Sequence, residues 1–302
     1  MNLSDLRIFV SAARRPTLGA AALELHLSPS AVSKALRRLE DSLGTALFDR
    51  SAKQLVLNQS GQRLLARAQG LLALAEQARD DIMGERAALD CRIGGPAVLL
   101  WRHGRMAAQA LRGWPRASLT MEAMFEDDAL AALARGDVSA AIVTGAVTDG
   151  RGAHWSPQWE ATDLGSLNLH LVAGRTHALA RGAHGAASVA ASSAEVLEHD
   201  FACPVRSPFC GVRRGARSDG WRDDALPRKI RYWTDDLQLL LDFVRGGDAL
   251  AYLPDFALAD PALVRIEVSD CAFECAERAW LVWHKGRAGD WQQRLAEALA
   301  RR

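Results

Sequence analysis

The first quarter of the chain carries apolar residues at helical spacing. Four of them fall at positions i, i+3, i+4 and i+7: Leu18, Ala21, Ala22 and Leu25. This spacing predicts a short helix that begins after Thr17, a favourable capping residue. Ser28-Pro29 predicts the start of a second helix, because proline at the first helical position loses no hydrogen bond. Gly44 is the predicted end of that helix.

The second predicted helix has two distinct faces at 100° per residue. The apolar face consists of Val32, Ala35, Leu36, Leu39 and Leu43. The opposite face consists of Ser30, Ser33, Lys34 and Arg37. Hydroxyls and cations near a helix N-terminus are what readout of the DNA major groove requires. A solvated amphipathic helix has the same pattern, so that alternative stays open at this point.

Further motifs surround this helix pair: Ala21-Ala22, Ser33-Lys34 through Leu39-Glu40, Leu43-Gly44, Leu47-Phe48 with Arg50, and Leu57 followed by Gly61. With them, the segment from Met1 to about Ala88 resembles the N-terminal winged helix-turn-helix of the LysR-type transcriptional regulators. The resemblance implies base contacts at the start of the second helix and phosphate or minor-groove contacts from a two-stranded wing between Phe48 and Leu57. The candidate DNA-binding residues are Ser28, Pro29, Ser30, Ser33, Lys34, Arg37, Arg38, Arg50 and Lys53.

Two positions depart from the pattern of this family. Pro29 stands where many relatives carry a glutamine, which removes part of the direct base readout. Asn58 replaces the threonine that usually caps the next helix, and asparagine is also a favourable cap.

A third helix is predicted after Gly61, with apolar residues spaced 4, 3, 4, 3 and 4. These residues are Leu64, Ala68, Leu71, Ala75, Ala78 and Ile82. The heptad spacing indicates a helix that packs against a copy of itself, although a helix packed on its own domain shows the same period. The family resemblance favours the dimer, and it implies a homodimer or homotetramer.

From Leu89 onward the pattern alternates between strands and helices, which predicts an α/β fold. The predicted strands are Leu89–Ile93, Leu119–Ala123, Ala140–Val143, Leu164–Val172, Ile230–Tyr232, Ala249–Leu253, Val264–Val268 and Ala279–Trp283. The predicted helices are Val98–Leu111, Asp127–Arg135, Asp235–Arg245 and Asp290–Arg301.

This layout resembles the LysR effector domain, which has two lobes joined by crossover strands and is of periplasmic-binding-protein type. The resemblance is carried by Arg135-Gly136-Asp137 before Ala141-Ile142 and by Leu253-Pro254. It implies a winged helix-turn-helix over 1–58, a linker helix over 59–88 and an effector domain over 89–302. One lobe is predicted from 89–163 with 269–302, and the other from 164–267.

Small molecules bind α/β sheets in crevices beyond the strand ends. The candidate effector-binding residues are Gly95, Pro96, Ala97, Phe125, Thr144, Cys203, Trp233 and Thr234. The crevice is also expected to include Gly145 and the rest of the segment Cys203–Arg206. Relatives that bind a carboxylate commonly place serine or threonine at the start of the helix after the first strand. Gly95-Pro96-Ala97 has no hydroxyl there, so we expect an apolar or bulky ligand, or none.

Composition and charge agree with a DNA-facing segment on a larger body. The chain has 302 residues, of which 49% are hydrophobic and 24% charged, which is typical of a folded protein with two domains. Met1–Arg67 carries ten basic and five acidic residues, whereas the whole chain has a net charge of only +1. Such asymmetry indicates a segment that contacts double-stranded DNA.

Five cysteines without disulfide-like density favour a reducing compartment. The N-terminus has no apolar h-region and no stretch is long enough to span a membrane, so the sequence predicts a soluble, cytoplasmic protein.

The sequence carries none of the usual enzyme motifs, which favours a regulator rather than an enzyme, although a catalytic site outside those motifs stays open. No cofactor or metal is predicted, because Cys271 and Cys275 lack ligands at zinc spacing. The predicted partners are an A·T-rich inverted repeat in DNA, a small-molecule effector and RNA polymerase. A thiol redox sensor using Cys203 and Cys210, and a regulator that needs no effector, are the alternatives.

Overall fold

The structure is a computed structural model that describes residues 1–49, 55–83, 89–149, 155–181, 185–222, 225–271, 275–287 and 289–300. The chain folds into two compact units. The first comprises Met1–Ala88 with Lys285–Gly289, and the second comprises Leu89–His284 with Asp290–Arg302.

The first unit consists of helices and a small sheet. Its elements are α1 Leu3–Arg14, α2 Leu18–Glu24, α3 Pro29–Leu43, β1 Phe48–Asp49, β2 Val56–Leu57 and α4 Gln59–Met83. The two strands pair antiparallel, with Phe48 opposite Leu57. The predicted winged helix-turn-helix with a long following helix is therefore confirmed.

Local caps fix the helix boundaries of this unit. The hydroxyls of Thr17 and Ser28 and the amide oxygen of Asn58 each accept a hydrogen bond from the backbone N–H three residues later, at 3.2, 3.2 and 2.9 Å. Gly44 ends α3 in the left-handed conformation, with φ of 67°. All four capping predictions are confirmed, because capping depends on a residue and its immediate neighbours.

One apolar core joins α1, α2, α3 and the start of α4. The residues that α3 buries are Val32, Ala35, Leu36 and Leu39. Leu43, which we predicted on the same face, is 39% exposed because it is the last residue of the helix, beside the chain reversal at Gly44. Ala68 is fully buried in this core and Leu64 packs against it. The first part of the predicted dimer seam therefore belongs to the domain's own core.

The second unit is built on a mixed sheet. Its strands are β3 Asp90–Gly95, β4 Ser118–Ala123, β5 Ala140–Thr144, β6 Trp159–Gly174, β7 Ser188–Ala191, β8 Asp200–Cys203, β9 Lys229–Trp233, β10 Ala251–Pro254, β11 Leu263–Val268 and β12 Cys275–His284. The large sheet has the order β4-β3-β5-β12-β6-β11-β7, with β10 paired to β6, while β8 and β9 form a separate parallel pair. The α helices that accompany them are α5 Ala97–Ala110, α6 Glu126–Arg135, α7 Gly145–Asp149, α8 Ser193–Leu197, α9 Leu237–Gly246 and α10 Asp290–Ala300.

Two long antiparallel strands, β6 and β12, connect the two halves of this sheet. β12 pairs with β5 in one half, and β6 pairs with β10 and β11 in the other. Where they cross, the β12 register shifts between Arg278 and Trp280, and Arg278 forms an ion pair with Asp163 of β6. The predicted α/β fold with crossover strands is confirmed.

Several predicted boundaries were wrong. β6 begins at Trp159 rather than Leu164, because Trp159 already pairs with His284 of β12. α9 begins after the cap Asp236, and its left-handed terminator is Gly247 rather than Gly246. The elements β7, α7 and α8 were not predicted at all.

Candidate nucleic-acid interface and ligand cavity

Helix α3 presents a polar face to solvent. Ser30, Ser33, Lys34 and Arg37 are all exposed, as the helical period predicted. Within the described part of the chain, neither Lys34 nor Arg37 pairs with a carboxylate. Both positive charges are therefore available to a phosphate or a base edge.

The first turn of α3 is organised by its own side chains. Ser28 accepts a hydrogen bond as the helix cap, and its hydroxyl lies 3.0 Å from that of Ser30. Pro29 occupies the first helical position and supplies no hydrogen-bonding side chain. Ser28 is thus committed to capping, whereas Ser33 on the next turn remains exposed.

Arg38 has a different environment from its neighbour Arg37. Its guanidinium forms an ion pair with Asp5, a buried residue of α1, and its Nε donates to Asp5 Oδ2 at 3.3 Å. Arg38 therefore holds α3 against α1, a role that the sequence did not reveal because the two residues are 33 positions apart. The two remaining cationic candidates, Arg50 and Lys53, lie outside the described residues.

A second polar network orients the helix pair. Glu24 on α2 accepts hydrogen bonds from Ser11 and Arg15, at 2.7 and 3.0 Å. Partial burial raises the pKa of Glu24, but these hydrogen bonds outweigh it, so the pKa lies below its ordinary value. The ionised carboxylate ties α2 to the end of α1 and fixes the frame that carries α3.

The second unit contains a cavity of about 230 Å³. Its lining residues are Pro96, Ala97, Val98, Ala123, Met124, Phe125, Leu169, Pro204, Arg206, Ser207, Pro208, Phe209, Asp219, Thr234, Asp235, Leu237, Leu240, Tyr252, Leu253 and Pro254. Four candidate residues are among them, Pro96, Ala97, Phe125 and Thr234, and so are Pro204 and Arg206 of the predicted segment Cys203–Arg206. The cavity therefore contains part of the predicted set, and the rest of its mostly apolar wall comes from residues that the sequence did not single out.

The other four predicted residues are not part of this wall. Gly95 packs so closely on β5 that a Cβ there would lie 2.4 Å from the Ile142 carbonyl oxygen. Thr144 is buried, and its N–H donates to Glu126 Oε1 at 2.6 Å. Trp233 is 45% exposed at the end of β9. Each of these three positions is accounted for by packing or by solvent exposure, which corrects the expectation that they line the cavity.

Cys203 is the fourth residue outside the wall, and it also bears on the redox alternative. The residue is fully buried, and burial, together with the nearby Asp219, raises the pKa of its thiol to about 12. Because the thiolate is the reactive form, this environment makes Cys203 inert near neutral pH. Cys210 is half-buried, and its Sγ accepts a hydrogen bond from Arg214 at 3.7 Å.

The cavity residues that the sequence missed come from distant segments. Asp235 reaches the cavity through an ion pair at 2.8 Å with Arg206, 29 positions away, and Leu240 and Tyr252 reach it from α9 and β10. No local sequence pattern predicts contacts between residues that are this far apart in the chain. Among the missed residues, Pro208 was the one available signal, since with Pro204 it predicts an irregular loop after β8.

Within the described residues, no three metal-ligating side chains come together as a metal site. None of the described helices is both long enough and apolar enough to cross a membrane.

Comparison with known proteins places these two units in one family. The sequence model of the bacterial regulatory helix-turn-helix protein, lysR family, matches residues 3–62, and the LysR substrate binding domain matches residues 87–302. The chain therefore belongs to the LysR family of bacterial regulators.

Individual relatives agree with this assignment. An uncharacterized HTH-type transcriptional regulator, y4mQ of Sinorhizobium fredii, is 44% identical over 88 residues, which cover 29% of this chain and 30% of that protein. The regulator CfxR of Cupriavidus necator is 40% identical over 82 residues, covering 27% of this chain and 26% of that protein. The matched region thus spans under a third of each of these curated relatives.

Solved structures resemble the whole chain at low sequence identity. A full-length OxyR variant from Pseudomonas aeruginosa has a TM-score of 0.64 at 20% identity, with 99% of this chain and 94% of that chain covered. ArgP from Mycobacterium tuberculosis has a TM-score of 0.65 at 18% identity, with 98% and 95% covered. These similarities support the fold.

Proposed function

We propose that this chain is a sequence-specific, DNA-binding transcriptional regulator of the LysR type that acts as a homodimer or homotetramer. Its target is an A·T-rich inverted repeat, because two-fold related recognition helices read sites with matching two-fold symmetry. Bound at such a site, it acts on transcription through RNA polymerase. We assign the winged helix-turn-helix to 1–58, the linker helix to 59–88 and the effector domain to 89–302.

The observation that carries this proposal is the outer face of α3. It combines two exposed hydroxyls, Ser30 and Ser33, with two cations that have no carboxylate partner among the described residues, Lys34 and Arg37. The opposite face is buried, so the helix is held rigidly with these four side chains outward. A rigid helix with this chemistry can enter the major groove of DNA.

The proposed dimer uses the second half of α4. Beyond the residues buried in the domain core, this helix exposes Leu71, Leu74 and Ile82, with exposed fractions of 43, 58 and 88%. Their spacing of three and eight residues keeps them on one side of the helix. Exposed apolar residues on one helical stripe are typical of a face that is covered by a partner helix.

The second unit is proposed to sense a small molecule in the cavity between β10, α5, α9 and the loop after β8. An effector-independent regulator would not need such a cavity. The support comes from its concave apolar wall with a few polar groups, which is usual for small-molecule sites. The solved structure of full-length LysG from Corynebacterium glutamicum with bound effector Arg has a similar overall fold, with a TM-score of 0.61.

The DNA-binding proposal is tested by titrating labelled duplex DNA with the full chain at several salt concentrations. Lys34→Ala and Arg37→Ala are compared with Arg105→Ala, an exposed arginine of α5 that removes the same charge from the second unit. We expect each α3 variant to lose about 1–3 kcal/mol of binding free energy if it meets a base, or about one unit of salt slope if it meets phosphate. Arg105→Ala should bind as the unchanged chain does. If Lys34→Ala and Arg37→Ala also bind DNA with the affinity and salt dependence of the unchanged chain, α3 is not part of the DNA interface.

A further inference from the structure

The cavity of the second unit also indicates what kind of molecule it accepts. We propose that it selects an uncharged ligand about the size of one substituted aromatic ring, and that it discriminates against both carboxylates and cations. This inference rests on the proposed role of the cavity as the effector site, and it names the chemical class of the effector.

The first argument is size and wall chemistry. An apolar cavity of about 150 Å³ can hold benzene, and this cavity measures about 230 Å³. Its wall is dominated by apolar side chains, among them Met124, Phe125, Leu169 and Phe209. A ring with one or two small substituents therefore fills the space and gains the free energy of burying its apolar surface.

The second argument is that Arg206, the one cation among the described lining residues, is already neutralised. Its Nε donates to Asp235 Oδ2 at 2.8 Å and its backbone N–H donates to Asp235 Oδ1 at 2.9 Å. Its guanidinium also lies over the Phe125 ring, 4.8 Å from the centroid. Partial burial raises the pKa of Asp235, but the hydrogen bonds from Arg206 outweigh it, so the pKa is lowered and the pair stays ionised. A carboxylate ligand would therefore meet a guanidinium whose charge is already offset by Asp235, and it would also approach the negative charge of Asp235 itself.

The third argument concerns the other charged group in the wall, Asp219. It is buried, and its Oδ1 accepts a hydrogen bond from Arg228 Nη2 at 2.6 Å. Arg228 itself is fully buried and also donates to the Ala216 carbonyl oxygen at 2.7 Å. Asp219 and Asp235 are thus each engaged by an arginine, so a cationic ligand finds no carboxylate among the described lining residues that lacks a counterion.

The fourth argument is the start of α5, where an anion could otherwise be held by the helix dipole and a capping hydroxyl. Pro96 is the cap residue, and no described side chain makes a capping hydrogen bond there. Proline offers neither an N–H nor a hydroxyl to a ligand. This end of the cavity therefore lacks the hydroxyl that would complete an anion site at the start of α5.

The test uses three isosteric probes whose charges differ: benzoate, benzamide and benzamidine. Calorimetric titration into the full chain should give benzamide an affinity about tenfold or more above either charged probe, which corresponds to about 1.4 kcal/mol. Benzoate or benzamidine binding as tightly as benzamide would overturn the proposal. Failure of all three to bind at millimolar concentration would also overturn it, while the DNA titrations without ligand would still test the regulator proposal separately.

A charge-removing variant sharpens the test. Asp235→Asn leaves Arg206 without its counterion, so benzoate affinity should rise about fivefold or more while benzamide affinity changes less than about twofold. Asp242→Asn removes the same charge from α9 at a residue outside the cavity wall, and it should leave both affinities unchanged. Thermal unfolding without ligand confirms that each variant is folded. Unchanged benzoate affinity in folded Asp235→Asn would contradict the role assigned to the Arg206–Asp235 pair.

Discussion

Replacing His103 by leucine isolates the effect of one buried imidazole on the stability of the second unit. His103 lies on α5 with 2% of its surface exposed, and neither ring nitrogen has a hydrogen-bond partner among the described residues. Burial, with a smaller contribution from Arg102, lowers the pKa of His103 to about 4 from its ordinary 6.5. The native state therefore holds this ring neutral at neutral pH.

The direction of the pH effect follows from proton linkage. Below pH 6.5 the unfolded chain takes up a proton at this position, whereas the native chain resists it until about pH 4. The stability that comes from keeping His103 neutral is thus fully present above pH 6.5, and it is lost as the pH falls toward 4. The difference of roughly 2.5 between the two pKa values lowers the free energy of unfolding by about 3 kcal/mol at most. Between about pH 7.5 and 5, the loss is about 2 kcal/mol.

Urea unfolding followed by tryptophan fluorescence at about pH 7.5, 6.5, 5.5 and 5 measures this loss. Over that pH range, the free energy of unfolding of His103→Leu should fall by about 2 kcal/mol less than that of the unchanged chain. At about pH 7.5 the variant should be at least as stable as the unchanged chain, because it removes two unsatisfied polar atoms. His26→Asn, at an exposed turn residue, is the matched control and should keep the original pH dependence. An identical pH dependence in His103→Leu and the unchanged chain would refute the argument.

Three further changes test other parts of the structure. Ile82→Glu should convert the full chain to a monomer in sedimentation experiments, whereas Gln62→Glu on the same helix should not. A dimeric Ile82→Glu variant would exclude this part of α4 from the dimer interface. Gly61→Ala should destabilise the first unit by about 2 kcal/mol or more, because its Cβ would lie 2.1 Å from the Leu47 carbonyl oxygen. Gly70→Ala has open space around its Cβ and should stabilise the same unit by up to about 1 kcal/mol. Equal unfolding midpoints for the two variants would contradict this expectation. Iodoacetamide at about pH 8 should modify half-buried Cys210 and leave Cys203 unmodified in the native chain, and comparable labelling of the two would restore the redox alternative.

The first unit could be predicted from sequence in detail because its signals are local. The period of α3 separates Lys34 and Arg37 from Val32 and Leu39 within one helix, and Ser28 and Gly44 mark its ends through contacts within a few residues. The linker helix shows the limit of this reasoning. Its heptad period identified an apolar stripe, but the period could not say that Ala68 faces the core of its own domain.

The cavity shows a different limit. Pro96 and Phe125 could be placed in it because sheet topology brings strand ends and the following helices to one edge. The Arg206–Asp235 pair that decides its charge joins a loop after β8 to the residues before α9, and no sequence pattern predicts that contact. Cys203 and Thr144 were chosen for their place after a strand, but each side chain is turned into the interior of the fold.

Selection of bound sequences from a random duplex pool by the full chain tests the central claim most directly. If two copies of α3 read DNA through Ser30, Ser33, Lys34 and Arg37, the enriched sequences should share an inverted repeat whose half-sites are separated by about one helical turn or a multiple of it. A matched selection with Lys34→Ala should lose or relax that repeat. Enrichment of no common sequence by the unchanged chain, or of the same repeat by Lys34→Ala with equal affinity, would contradict the account.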